Sequence, residues 1–202
     1  EFAKSLTSTV VSLTDTCKKS LELSYENLPH HLKPCLLYFA AFGEDAKIVT
    51  RNLIRLWVAE GFVENTDGKK LEDVAEEYMM DLIGRNLVMV SERSSMGGVK
   101  ASCIHDLLLE FCKSKAKETD FLRVLRGCDE LYTFNELRYP PRLSICSSAA
   151  DFHKSKLFCP HLGSLLCFRQ NAGDDFPLAD VSFIFRIYKH LTVLNLEHSV
   201  LI

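Results

Sequence analysis

Apolar residues recur along the first 118 positions at two spacings, and each change of spacing marks a join between elements. Cys17, Leu21, Tyr25 and Leu28 fall at helical spacing and Pro29 ends that helix, whereas the Ser/Thr-rich stretch over 3–15 has no period that assigns it. From His31, the residues Leu32, Cys35, Leu36, Phe39 and Ala40 follow i, i+3, i+4, i+7 and i+8, which predicts a second helix with Pro34 in its first turn and Gly43-Glu44-Asp45 as its break. Ile48 and Val49 read as a short extended link. Thr50 is then the expected N-cap of a helix holding Leu53, Ile54, Trp57 and Val58 and closed by Gly61. Leu71, Val74, Ala75, Tyr78, Met79, Leu82 and Ile83 hold an apolar stripe for three turns before Gly84. The period then drops to that of strands. Leu87 to Val90 and Val99 to Ile104 are β-prone runs joined by Ser94-Ser95-Met96-Gly97-Gly98, a hairpin signal, and Leu107, Leu108, Phe111 and Cys112 return to helical spacing. Helices followed by a two-stranded hairpin and one more helix predict a winged helix, with the hairpin as its wing.

Beyond about residue 119 the helical stripe disappears and short β-prone runs alternate with Pro, Gly, Asp and Asn. Leu143-Ser-Ile145, Leu162-x-x-Leu165-x-Cys167 and Leu191-x-x-Leu194-x-Leu196 align at steps of 22 and 29 residues, inside the range of leucine-rich repeats. Such units cannot bury their apolar side alone, so a few of them imply stacked neighbours. The expected fold is therefore α+β. A winged-helix domain over 1–118 is followed over 119–202 by the start of an α/β leucine-rich-repeat solenoid, with residues 1–20 open between that domain and the end of a preceding helical subdomain.

Composition narrows the function classes. The chain has 202 residues, 47% hydrophobic and 25% charged, which fits a folded domain pair. Its apolar runs fall short of the ~20 residues a membrane span needs, and no basic-then-apolar leader opens it, so a cytoplasmic location is expected. Glu1 is an unusual start and suggests a piece of a longer protein. A net charge of −3 and a pI of 6.2 argue against a dedicated nucleic-acid binder. The eight cysteines show no CxxC pair, and reduced buried thiols are expected; Cys159-Pro160-His161 with Cys167 fits no zinc spacing, so no metal site is expected.

The candidate chemistry lies at Ile104-His105-Asp106, where the hairpin meets the last helix. Unpaired N–H groups at a helix start favour an anion, and a histidine adds a donor that reaches outward. A plain cap or surface histidine is the alternative on these residues alone. A second alternative is a DNA-binding winged helix, because Arg51 and Arg55 lie one turn apart on the 50–60 helix; Trp57 and Val58 commit much of that helix to packing, and Glu60 opposes the role. Hydrolase patterns such as GxSxG are missing. Lys113, Lys115 and Lys117 read as a solvated helix end.

Three ordered blocks carry a family resemblance. Leu21-Glu-Leu-Ser-Tyr25-Glu-Asn-Leu-Pro29-His-His-Leu-Lys33 with Cys35-Leu-Leu-Tyr-Phe-Ala-Ala-Phe42, then Leu53-Ile-Arg-Leu-Trp57-Val-Ala-Glu-Gly61-Phe-Val63, then Ile104-His105-Asp106 resemble plant nucleotide-binding leucine-rich-repeat (NB-ARC) immune receptors of the coiled-coil type, especially solanaceous disease-resistance proteins. Ile104 stands for the family's Met, and Gly43 for the Pro of its Phe-Pro-Glu-Asp turn. The resemblance implies that the winged helix closes over bound ADP, that His105 reaches the β-phosphate as sensor, and that Asp106 is a positional partner that caps the helix or fixes the loop. It further implies exchange of ADP for ATP on pathogen perception, partners among the other NB-ARC subdomains and repeats of a parent, an effector or guarded host protein as trigger, and oligomerisation on activation. No GxxxxGK[ST] loop occurs in the chain, so these residues alone are expected neither to hold nucleotide tightly nor to hydrolyse it.

Overall fold

The computed structural model describes residues 16–66, 68–134, 140–146, 161–168 and 186–196, with Ser155, Leu157, Cys159 and Ile184. The Ser/Thr-rich stretch over 3–15 and Pro160 lie outside them. Helix α1 covers 16–26. Helix α2, Leu32–Leu37, tightens into a 3-10 turn over Tyr38–Ala41, and from Cys35 to Ala41 every residue is buried. Pro34 is the third residue of α2, where its missing N–H would have had no helical partner, so it removes no bond. Strand β1, Ile48–Val49, leads into α3, Thr50–Ala59; α4 is Leu71–Gly84; β2, Met89–Arg93, and β3, Val99–Cys103, form the wing; α5 is Asp106–Glu118. The three strands are antiparallel in the order β1-β3-β2, with Ile48 opposite Ser102 and Met89 opposite Cys103. The extended link read from Ile48 and Val49 is thus a strand that ties the wing to the start of α3.

Two helix ends differ from expectation. The N-cap of α3 is Val49, without a side-chain cap bond, and Thr50 is already helical, its buried hydroxyl without a partner. Gly84 belongs to α4, and Asn86, at φ 58°, supplies the left-handed residue after the helix. Asn tolerates that conformation, and so Gly84 is not needed for it.

After α5 come β4, Arg123–Arg126; α6, Gly127–Thr133; β5, Arg142–Cys146; β6, Ser164–Phe168; and β7, Val193–Asn195. These four strands form one parallel sheet in chain order. Leu143 pairs with Leu165 and Leu165 with Leu194, so the 22- and 29-residue steps of the sequence are the register of the sheet. Because side chains alternate across a strand, β6 serves two cores. Leu165 and Cys167 pack with Leu143, Ile145, Leu131 and Tyr188, whereas Leu166 and Phe168, with Val193, join the core of the winged helix. Phe168 lies 5.1 Å from Phe42, ring centre to ring centre, and the buried Ser144 hydroxyl donates to the Ala41 carbonyl at 2.7 Å. Both faces of the sheet are therefore covered, which explains the unbroken apolar run Leu165-Leu-Cys-Phe168. Among the described residues no helix is long and apolar enough to cross a membrane.

Cys35, Cys112, Cys159 and Cys167 are buried free thiols. Burial pushes Cys35 and Cys112 from 9.0 to about 12. The unfolded thiols lose their protons first, so the unfolded state is favoured progressively between those values and stability falls as pH rises from 9 towards 12. Each thiol contributes a slope of roughly 1.4 kcal/mol per pH unit in that window. Urea midpoints measured at pH 8 and pH 10 are expected to drop with pH, and to drop less in a Cys35→Ala, Cys112→Ala double variant. An equal drop in that variant would show that other groups carry the alkaline loss.

Candidate functional site

His105 stands where the sequence places it, exposed between the end of β3 and the first turn of α5. Two neighbours hold it there. Ile104, 7% exposed, anchors the chain in the core just before it, and Leu109 N–H donates to the His105 carbonyl at 2.9 Å as the first bond of the helix. The imidazole caps the helix itself: Nδ1 accepts from Leu107 N–H at 3.3 Å. A nitrogen that accepts carries no proton, so the neutral ring bears its proton on Nε2, as a donor. Nε2 has no partner among the described residues. Asp106 occupies the first turn, exposed, where its carboxylate suits the positive end of the helix dipole. The capping share of its expected role therefore belongs to His105.

A groove of about 380 Å³ runs between α1 and α5, with Leu21, Leu107 and Phe111 as its apolar lining. It reaches the residue whose amide caps onto His105. Tyr25 meets Phe111 edge-on at 5.6 Å, and Lys115 joins Glu22 of α1 at 2.9 Å, so α1 is fastened along α5. Lys115 also pairs with Glu118, while Lys113 pairs with Glu110 and, at 3.4 Å, with Glu44. With side chains 15% and 19% exposed, Lys113 and Lys115 are cross-links between elements and not the solvated end read from the sequence. Lys117 is exposed.

Trp57, Leu53 and Met79 are fully buried and Tyr78 is partly buried, as core residues. On the outward side of α3, Asn52, Arg55 and Leu56 line a groove of about 570 Å³ whose other wall is residues 192–196 around β7. Arg55 thus faces the edge of the parallel sheet, while Arg51, one turn away, is exposed.

Sequence reasoning missed one polar cluster. Glu60, one residue past α3, has a side chain 3% exposed; it accepts from Arg142 Nε at 2.6 Å and from the Tyr38 hydroxyl at 3.0 Å. The Arg142 guanidinium lies over the rings of Phe62 and Phe121, at 4.8 Å and 4.6 Å. Burial and the adjoining carboxylate push the Tyr38 phenol far up, so it stays a donor. Glu60 and Arg142 are 82 positions apart, and no local pattern could have paired them.

Comparison with known proteins agrees with this architecture. The family model of the disease resistance protein winged helix domain matches residues 41–112, from the end of the 3-10 turn through the wing to the middle of α5, including Ile104, His105 and Asp106. Putative late blight resistance protein homolog R1B-14 of Solanum demissum is 41% identical over 181 residues, covering 89% of this chain and 14% of that protein. Homolog R1B-16 of the same species is 41% identical over 183 residues, with the same coverage of 89% and 14%. Late blight resistance protein R1-A, also of Solanum demissum, is 38% identical over 193 residues, covering 90% of this chain and 15% of the relative. The chain therefore spans about a seventh of the length of the curated relatives it matches. Since the wing and the buried α3 fall inside the matched segment, and the likeness to the late blight proteins extends beyond it over 89% of the chain, this chain belongs to the plant disease resistance proteins and carries their winged-helix domain.

Proposed function

We propose that the chain is a regulatory segment of an NB-ARC immune receptor, in which His105 holds the off state by donating Nε2–H to the β-phosphate of ADP. The supporting observation is the commitment of Nδ1 to the helix cap, which leaves one outward N–H and no choice of which nitrogen does what. ADP supplies an anionic oxygen as acceptor, and the dipole of α5 favours the same charge. His105 binds, Asp106 and Ile104 orient it, and the phosphate-binding loop comes from other NB-ARC subdomains of the receptor; this segment is no enzyme by itself. The parallel strands are the first leucine-rich repeats, with Leu143, Leu165 and Leu194 at equivalent repeat positions.

Regulation is then a shift of population. ADP favours the closed arrangement; perception of an effector, directly or through a guarded host protein, and exchange for ATP favour the open, oligomer-forming one in the cytoplasm. The test is ADP release from the full-length receptor carrying this chain. His105→Ala is expected to release ADP faster and to signal without a pathogen. Unaltered release together with silence would sink the proposal.

A further inference from the structure

We propose that Arg142 is a positioning residue for the His105 sensor, acting through α5, so that displacement of the parallel strands is felt at the phosphate. This rests on the phosphate reading of His105 above. Arg142 begins β5, yet its contacts lie on the winged helix. Two of them, Glu60 and Phe62, follow α3; the third, Phe121, closes α5. Phe121 N–H donates to the Ala116 carbonyl at 2.9 Å, which wraps the chain around the C-terminal turn of α5, and Arg142 donates to the Phe121 carbonyl at 3.4 Å. The guanidinium therefore holds the last turn of α5 against the end of α3.

His105 starts the same helix. Thirteen residues make a rod of about 20 Å. Its inner side, Leu108, Leu109, Cys112 and Ala116, is at most 5% exposed, and a helix packed that closely shifts as a body before it bends. The clamp also resists partial opening, because pulling Arg142 away strands the buried Glu60 carboxylate without its cation. Strand and rod are thus coupled through a contact that is either made or broken. Moving β5 frees the C-terminal turn of α5, and the far end of the rod carries the imidazole off its phosphate.

The experiment is a double-variant cycle on ADP release in the full-length receptor carrying this chain. Arg142→Met keeps an unbranched side chain against the two rings and removes the charge and both donors. It is expected to speed release about tenfold where His105 is present, and to alter it by no more than about twofold in a His105→Asn background. Equal acceleration in both backgrounds, or none in either, overturns the coupling. If His105→Asn alone leaves release unchanged, the phosphate reading itself fails, a result distinct from failure of the clamp. Where Arg142→Met does not fold, Glu60→Gln with Arg142→Met leaves the site uncharged and is judged by the same comparison.

Discussion

His105→Asn is expected to keep the melting temperature of this chain close to its native value while releasing ADP from the full-length receptor about 10- to 150-fold faster, whereas His105→Ala loses on both counts. The observed cap and the proposed phosphate contact sit on different nitrogens, and so they can be separated. Nδ1 closes the first turn of α5 by accepting from Leu107 N–H. Asn is among the best N-cap residues, and its side-chain oxygen can accept the same bond; Ala cannot, at a cost of about 1 kcal/mol. For a chain of this size that loss lowers the melting temperature by roughly 2–4 °C. Nε2–H is the outward donor, and the Asn amide nitrogen ends one bond short of its position. Losing a hydrogen bond to a charged phosphate costs about 1.5–3 kcal/mol, which is the stated range in release rate. Calorimetry on the chain and labelled-ADP release from the receptor read the two effects separately. If Asn retains ADP as well as His does, His105 is a cap and nothing more.

The elements of this fold were legible wherever a period repeats within a few turns. The stripe from Leu71 to Ile83 and the hairpin signal at Ser94 to Gly98 reappear as α4 and the wing, and the leucine steps of 22 and 29 reappear as strand register. The place of His105 could be read because it depends on a local fact, a helix starting after a strand. What the sequence hid is non-local. Glu60 reads only as a charge opposed to DNA until Arg142, 82 positions on, is brought against it; Lys113 reads as part of a solvated helix end until Glu44 is. Helix ends failed for a different reason. Thr and Gly favour caps only by about a kcal/mol or less, a preference that β1 pairing overrides at Thr50 and that Asn86 makes unnecessary at Gly84.

Cutting the chain after Glu118 is expected to abolish cooperative unfolding of the winged helix. The family match ends at residue 112, and a winged helix would conventionally be taken to end with α5, but its core does not stop there. Leu122, Leu166, Phe168 and Val193, each 4% exposed or less, pack into the same core as Trp57 and Leu109. At about 1.5–3 kcal/mol for each buried apolar side chain, four of them amount to roughly 6–12 kcal/mol, against a typical total stability of about 5–15. The cut would also bare Phe42, remove the Ser144 donor from the Ala41 carbonyl and take Arg142 from Glu60. The full chain should unfold in urea with coincident fluorescence and circular dichroism transitions, since the single tryptophan, Trp57, reports the shared core. The shortened chain should bind a dye for exposed apolar surface and lack a sharp transition. A shortened chain that melts sharply within a few degrees of the full one would mean that the sheet merely leans on the winged helix. In that case a pull on β5 would have no firm route to α5, and the proposed coupling of Arg142 to His105 would fall.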